Sequence, residues 1–600
     1  MRSRGRVKIG LLVNRFLLPM SLSISQSMSQ SMPQSLRIFA ALAVGLLMSC
    51  AGCGGGGSSS GSNGSSGTGT GSGPNSEPSS GIGQPDSSGR VRAAENCLLS
   101  FQVASAPQLT GTDPLFVQQW HLNNTGQSGG TSGEDLRATL AWLTSRGSGV
   151  RIAVTDDGID ITHPDLAPNV IANESYNYLL ANSVWPLPCT NQDTHGTAVA
   201  GVAVARDGNG VGGAGVAPQA SMVAFNALSA NDDASLADAM TRGKNNHIWH
   251  NSWGSPDEGR PEPAPRIWEQ AIDEGLRSAR SGRGAIFVFP GGNGGRIDVR
   301  SASGLTAATI ADDSNLDGYA NKRGVIAVCS VDDRGIAPTY AEKGANLVVC
   351  APGQGRNEGI TTTALLGNYR TNFSGTSASA PMIAGTAALM LAVNPNLTWR
   401  DVQRILATTA RQNHPADAGW TTAGGIRFNH RYGFGVADAD AAVRAARTWV
   451  SVGGSAEQKV CGPFIRSPGV QIPDSPSFSI PGSVVTDAMS TPNCGITNLE
   501  FVEVHFTSNH PYAGDLRIRL VSPNNLVSEL ANERACGSNV PTASNPCRVG
   551  YNDWRFGSVR HLGEPLTANQ ASGPWTLEVS DRGPMDVGAL SSWSLTLYGK

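Results

Sequence analysis

The stretch Val150-Arg151-Ile152-Ala153-Val154-Thr155-Asp156-Asp157-Gly158 decides how this chain folds. Its apolar residues run together instead of alternating with polar ones, as in a strand covered on both faces. Two carboxylates stand at its C-terminal end, and Gly158 turns the chain. Working outward, Val223-Ala224-Phe225, Ala285-Ile286-Phe287-Val288-Phe289, Val325-Ile326-Ala327-Val328 and Leu347-Val348-Val349 read as further strands. Residues 195–205 and 377–393 read as helices, the second long and apolar. Continuous apolar strands separated by helices predict an α/β fold, a parallel sheet with helices on both faces. Ligands and catalytic groups collect at the carboxyl edge of such sheets, where Asp156 lies.

The pattern stops near Val450. A loop rich in Pro and Ser follows, including Ile472-Pro473-Asp474-Ser475-Pro476. Beyond it, residues 499–507, 516–521, 575–579 and 593–597 read as strands with no helical period, which predicts a small antiparallel β-sandwich. Six hundred residues are in any case too many for one core. The predicted organisation is a targeting segment over 1–53, a tether over 54–107, a first folded domain over 108–450 and a β-sandwich over 451–600.

The targeting segment follows from Arg37 and the apolar run Ile38-Phe39-Ala40-Ala41-Leu42-Ala43-Val44-Gly45-Leu46-Leu47-Met48, too short to span a bilayer as an anchor. Met28 and Met32 are alternative starts. The run ends in Leu47-Met48-Ser49-Cys50-Ala51-Gly52-Cys53, which resembles a bacterial lipobox. Cys50 has the favourable Leu three residues before it, and Cys53 has Ala-Gly before it and a Gly/Ser tether after it. A lipid anchor on either thiol and an ordinary cleaved signal are the alternatives, and each means export to the cell envelope or beyond. Residues 54 to about 90 are nearly all Gly, Ser, Asn, Thr and Pro and bury too little to fold, so ordered sequence is expected from about Asp113.

The remaining eight cysteines, an even number on an exported chain, favour disulfides. Cys536 and Cys547 are close enough in sequence to close one loop, and Cys329 with Cys350 can bridge neighbouring strands. A net charge of -3 gives no reason to expect a nucleic-acid partner.

Three segments carry the chemistry. Asp156 ends a strand, His195 in His195-Gly196-Thr197 starts a helix, and Ser377 in Gly375-Thr376-Ser377-Ala378-Ser379-Ala380-Pro381 opens the long helix. There the helix dipole and free N–H groups can stabilise an oxyanion. Ser377 is the expected nucleophile, His195 its base and Asp156 the group that orients the imidazole.

With Gly-Thr-Ser-x-Ser-Ala-Pro spelled out and the order Asp, His, Ser, the chain resembles the subtilase family over residues 113–442. The resemblance implies a serine endopeptidase acting on protein or peptide substrates. It also marks Asn293, in Pro290-Gly291-Gly292-Asn293-Gly294-Gly295, as a side-chain oxyanion donor. Asp113-Pro114-Leu115-Phe116, Gln119-Trp120-His121-Leu122, Asp317-Gly318-Tyr319 and Leu397-Thr398-Trp399-Arg400-Asp401 look like kexin/furin-type proprotein convertases. Gly514-Asp515-Leu516, Gly573-Pro574-Trp575-Thr576-Leu577 and Trp593-Ser594-Leu595 resemble the P-domain of that subfamily.

This resemblance implies cleavage after basic residues, with Asp257 and Asp317 matching acids of the primary pocket and Asp157 an acid for the next residue upstream. It implies calcium too. Asp113, Asp165 and Asn209, with the carbonyls of Arg206, Val211 and Gly213, match one site, and Asp257, Asp312 and Glu342 match a second. Family members carry a chaperoning prodomain where this chain has its tether and about twenty further residues, too few for a core. That departure implies an external chaperone. The rival expectations are an inactive surface-displayed adhesion module and a broad degradative subtilase without basic preference.

Overall fold

Six strands pair side by side in parallel: β1 (Arg151–Thr155), β2 (Ser221–Phe225), β3 (Ile248–Asn251), β4 (Ile286–Pro290), β5 (Val325–Val331) and β6 (Leu347–Pro352). Their order across the sheet is β6-β5-β4-β3-β1-β2. The computed structural model describes residues 82–103, 111–300, 306–477, 479–534, 549–566 and 574–600. Every residue of β3 to β6 is buried, which requires cover on both faces and explains the unbroken apolar runs. The strand order reverses between β1 and β3, so the carboxyl end of β1 opens onto a topological switch point.

The longer helices are α1 (His195–Val204), α2 (Arg266–Ser278), α3 (Thr376–Val393), α4 (Trp399–Thr409) and α5 (Ala439–Arg447). Helices α1 and α3 are apolar all round and lie in the core, α3 burying all but three of its 18 residues. Helices α2, α4 and α5 are amphipathic and bury one face each, α5 against α3 and α4. A capping box between Thr398 and Asp401 starts α4. A hairpin of β7 (Ile360–Thr363) and β8 (Tyr369–Phe373) leads into α3. It leans on α1, where the Thr362 and Thr363 hydroxyls donate to the carbonyls of Ala198 and Thr197.

The second region contains β9 (Lys459–Arg466), β10 (Val470–Ile472), β11 (Val485–Ser490), β12 (Leu499–Ser508), β13 (Leu516–Val521), β14 (Val527–Ala531), β15 (Tyr551–Ser558), β16 (Pro574–Asp581) and β17 (Gly588–Gly599). One antiparallel sheet runs β9-β17-β12-β15, with β10 also on β17, and the other runs β11-β16-β13-β14. They share an apolar core that includes Val504, Phe506, Ile518, Leu520, Trp575, Leu577 and Leu595. Alternate residues of β13 are buried, the pattern of a sheet with one wet face.

The two regions dock through polar contacts. Arg400 of α4 makes a bidentate ion pair with Glu500 of β12, both bonds at 2.8 Å and both side chains buried. Asn315 exchanges side-chain hydrogen bonds with the backbone of Gly557, and Arg555 reaches the carbonyl of Gly318 and the amide of Asn321.

Structure begins earlier than the tether composition indicates. Arg90–Val91 pairs antiparallel with Phe101–Gln102, and Val91, Ala93 and Phe101 are buried in the main core. A disulfide from Cys97 to Cys189 pins this segment. Cys329 and Cys350 are bonded across β5 and β6, in register, as neighbouring strands allow. Cys461 is bonded to Cys494. The pairing of Cys536 with Cys547, the targeting segment and the anchor at Cys50 or Cys53 lie outside the described residues.

Candidate active site

Asp156 follows β1 directly and is fully buried. Its carboxylate accepts from Nδ1 of His195, the first residue of α1, at 2.8 and 3.0 Å. The close approach depends on Gly196, where a Cβ would lie 2.7 Å from the Asp156 Cβ and 2.6 Å from the Gly158 carbonyl. With Nδ1 bound to Asp156, Nε2 is the nitrogen left to serve as base. Burial opposes a charge on the ring, but Asp156, through its charge and its hydrogen bond, outweighs this and lifts the imidazole to about 9.

Ser377 lies in the first turn of α3, where backbone N–H groups have no intrahelical partner. Its hydroxyl donates to the Ser252 carbonyl at 3.2 Å. Asn293, just beyond β4, uses its Oδ1 to accept from the Thr376 N–H at 2.9 Å and from the Thr376 hydroxyl at 3.0 Å. These bonds fix the amide and leave Nδ2 to donate elsewhere. Gly375 permits this fit: its φ is +92°, and a Cβ there would meet Asn293 Oδ1 at 3.1 Å. Asp156, His195, Ser377 and Asn293 thus stand on elements that end at the same edge of the sheet.

Asp157 turns to the start of α1, where its carboxylate accepts from the N–H groups of Gly196 (2.8 Å) and His195 (3.2 Å). Burial, then the charge of Asp156, pushes it up to about 8. Asp317 packs against the loop after β3, half-buried by its neighbours. It accepts from the Ser255 N–H and hydroxyl and from the Tyr319 N–H, the last at 2.7 Å. Gly254 leaves room for the carboxylate, since a Cβ there would lie 2.3 Å from Asp317 Oδ2. Burial raises Asp317 to about 6, so it is still ionised at neutral pH.

Asp257, Asp312 and Glu342 converge, with one oxygen from each lying within 4.8 Å of the others. Burial lifts all three, Asp312 to about 7 and Glu342 well above its ordinary value. With Asp312 and Glu342 buried and Asp257 half-buried, the three carboxylates form an oxygen-rich cradle that suits a hard divalent ion. Backbone N–H groups of Asn293 and Gly294 also bind Asp257 and Glu342, which links this cradle to the loop of Asn293.

Asp113, Asp165 and Asn209 also meet. Asn209 donates from Nδ2 to Asp165 at 2.6 Å, and Asp113 accepts from the N–H groups of Gly208 and Asn209. The Gly213 N–H donates to the Asp165 carboxylate and the Arg206 N–H to the Asp165 backbone carbonyl, and the Val211 N–H donates to Asn209 Oδ1. The Asn209 amide must turn over to offer oxygen to a metal. Burial raises Asp165 to about 7, which signals carboxylates short of positive charge.

The sequence pattern did not flag β3. Ile248-Trp249-His250-Asn251 is half polar, yet all four residues are buried. His250 is fully buried, held near 3 by desolvation, and its Nε2 lies 3.0 Å from the Ser252 hydroxyl. The role of Thr376 in orienting Asn293 was equally hidden, although Thr376 belongs to the serine motif itself.

Comparison with known proteins agrees with this geometry. The profile of the Subtilase family matches residues 147–435, and that of the Proprotein convertase P-domain matches residues 499–597. Neuroendocrine convertase 2 of Sus scrofa and of Homo sapiens are each 34% identical over 507 residues, covering 81% of this chain and 74% of theirs. The Drosophila melanogaster neuroendocrine convertase 2 is 35% identical over 506 residues. Among solved structures, the serine protease of Aeromonas sobria superposes with a TM-score of 0.68 at 25% identity, covering 83% of this chain and 98% of that one. The same protease in complex with a chaperone, ORF2, gives a TM-score of 0.69 at 24% identity.

Proposed function

The chain belongs to the subtilase family, in its proprotein convertase branch, and we propose that this serine endopeptidase cuts protein substrates after Arg or Lys with calcium bound. The half-buried Asp317 carboxylate carries the specificity. It stays ionised beside the loop after β3 while only neutral groups donate to it, so an incoming guanidinium or ammonium offsets its desolvation. Asp157 offers a second carboxylate for the residue upstream. Asp257 stands with the metal cradle and acts on the pocket through it.

In the proposed chemistry, Ser377 leaves the Ser252 carbonyl, passes its proton to Nε2 of His195 and attacks the scissile carbonyl. Asp156 holds the imidazole in the required tautomer and stabilises its charge. Asn293 Nδ2 and the Ser377 N–H are the donors for the oxyanion. His195 then protonates the leaving amine, and water repeats the sequence on the acyl-enzyme.

Asp257, Asp312 and Glu342 would hold one calcium ion. Asp113, Asp165 and Asn209, with the carbonyls of Arg206, Val211 and Gly213, would hold the other. Bound calcium supplies positive charge that offsets the buried carboxylates and stiffens the loops that carry them. Its deepest effect falls on the loop of Asn293.

We further propose export, supported by three disulfides, and folding aided by a separate chaperone, as in the Aeromonas sobria complex. The deciding assay compares kcat/KM for matched peptides with Arg, Lys, Phe or Leu before the scissile bond. A strong Arg and Lys preference that Asp317→Asn removes is expected. Equal turnover after Phe or Leu overturns the specificity, and unchanged turnover by Ser377→Ala overturns the mechanism.

A further inference from the structure

We propose that Arg370 reads an acidic substrate side chain on the leaving-group side of the scissile bond. Arg370 lies on β8, seven residues before the nucleophile and on the hairpin that leads into it. Its guanidinium stands 5.4 Å over the ring of Phe373. The same Phe373 ring meets the His195 imidazole edge-on at 5.6 Å. The cation is therefore one aromatic ring away from the catalytic base.

Arg370 has no carboxylate partner among the described residues. Its hydrogen bond goes from Nε to the neutral Oδ1 of Asn372 at 3.1 Å. Burial alone moves its ionisation, downward, as expected of a half-covered cation without an anion. Its charge is felt at His195, where it opposes protonation. A guanidinium held this way has unused donors in a planar fork that matches a carboxylate.

The location sets which part of the substrate it meets. Asp257 sits on the loop after β3, Asp317 between β4 and β5, and Asp157 after β1, against His195 and Gly196 at the start of α1. The β7–β8 hairpin leans on the next residues of α1, Thr197 and Ala198. The reacting centre lies between these two flanks. Acids thus line the upstream side, and a lone cation marks the other. A substrate with a basic residue before the cut and Asp or Glu one or two positions after it satisfies both. This assignment rests on the proposed function, taking Ser377 and His195 as the reacting pair and the acids as the upstream side.

The test uses quenched peptides that keep whichever upstream residue the enzyme cleaves best, with Asp, Glu, Ala or Lys at each of the two positions after the cut. The native enzyme is expected to turn over the acidic peptides roughly fivefold better than the lysine ones by kcat/KM, the scale of one part-screened ion pair. Arg370→Gln should flatten that ratio, Arg370→Glu should invert it, and Arg370→Lys should keep part of it. The alanine peptide and the thermal midpoint report general damage to each variant. A native enzyme indifferent to downstream charge, or a ratio unchanged in Arg370→Gln, overturns the proposal. If the best upstream residue proves apolar, the basic specificity fails while this ratio still judges Arg370.

Discussion

Ser252 and Ser377 exchange hydrogen bonds. The Ser252 hydroxyl donates to the Ser377 carbonyl at 3.0 Å, and the Ser377 hydroxyl donates to the Ser252 carbonyl at 3.2 Å. The single Ser252 proton is thereby used, so the His250 ring, 3.0 Å away, must donate from Nε2. A buried imidazole in a fixed tautomer thus supports the loop that holds the nucleophile. Ser252→Ala is expected to lower kcat about tenfold with KM nearly unchanged, the cost of a slightly misplaced nucleophile. Steady-state kinetics on one peptide checks both numbers.

Removing the Asn293 amide should be costlier. Asn293→Ala is expected to reduce kcat by about 10²–10³ with little change in KM, because the donor matters only once the oxyanion forms. Thr376→Val, which loses the hydroxyl that orients the amide, should fall between this variant and the native enzyme.

Activity should rise with pH. His195 must be neutral to accept the Ser377 proton, and its pKa is lifted to about 9, so the neutral fraction grows as pH climbs toward that value. Asp157, pushed up to about 8, gains its charge over a similar range and adds to upstream binding of a basic residue. A kcat/KM profile between pH 6 and 10 should therefore show an acid limb well above the ordinary histidine value. Asp156→Asn should lower the limb and cost about 10⁴ in kcat.

Calcium should stabilise the fold, and more so at alkaline pH. The cradle acids must shed protons to take the ion, and burial holds Asp312 near 7 and Glu342 well above its ordinary value. At a hundredfold excess over its dissociation constant, one ion adds about 2.7 kcal/mol. Thermal unfolding with calcium or with a chelator should show a gap that widens from pH 6 to pH 8. Glu342→Gln should narrow it.

The ion pair between Arg400 and Glu500 couples the two regions. Arg400→Met leaves Glu500 buried with only Gln458 and the more distant Arg404, and should destabilise by about 3–5 kcal/mol. Adding Glu500→Met should recover most of that loss. Urea unfolding of the single and double variants measures both.

Strands β1, β4, β5 and β6 were legible because parallel-sheet strands need apolar residues on both faces. Strand β3 was not, since His250 and Asn251 are stabilised by burial and hydrogen bonds that no local pattern encodes. The segment from Ile82 was hidden by its polar, glycine-rich neighbours, and only its bond to Cys189 and the burial of Val91 and Phe101 reveal that it packs. The proposed catalytic trio was readable because its motifs are local. That Asp257, Asp312 and Glu342 share one cradle depends on three separate loops meeting, which no local pattern encodes and only the family resemblance implied.

The bond between Cys97 and Cys189 closes a covalent ring with a sequence separation of 92. Asp113, Asp156, Asp157 and Asp165 all fall inside that ring. A single nick anywhere within it opens the ring but cannot part its pieces, so Asp156 and both acids of one proposed calcium site stay joined to the rest. A clipped molecule would migrate as one species until a reductant is added, and would keep its N-terminal extension in an oxidising milieu even after being cut beside it.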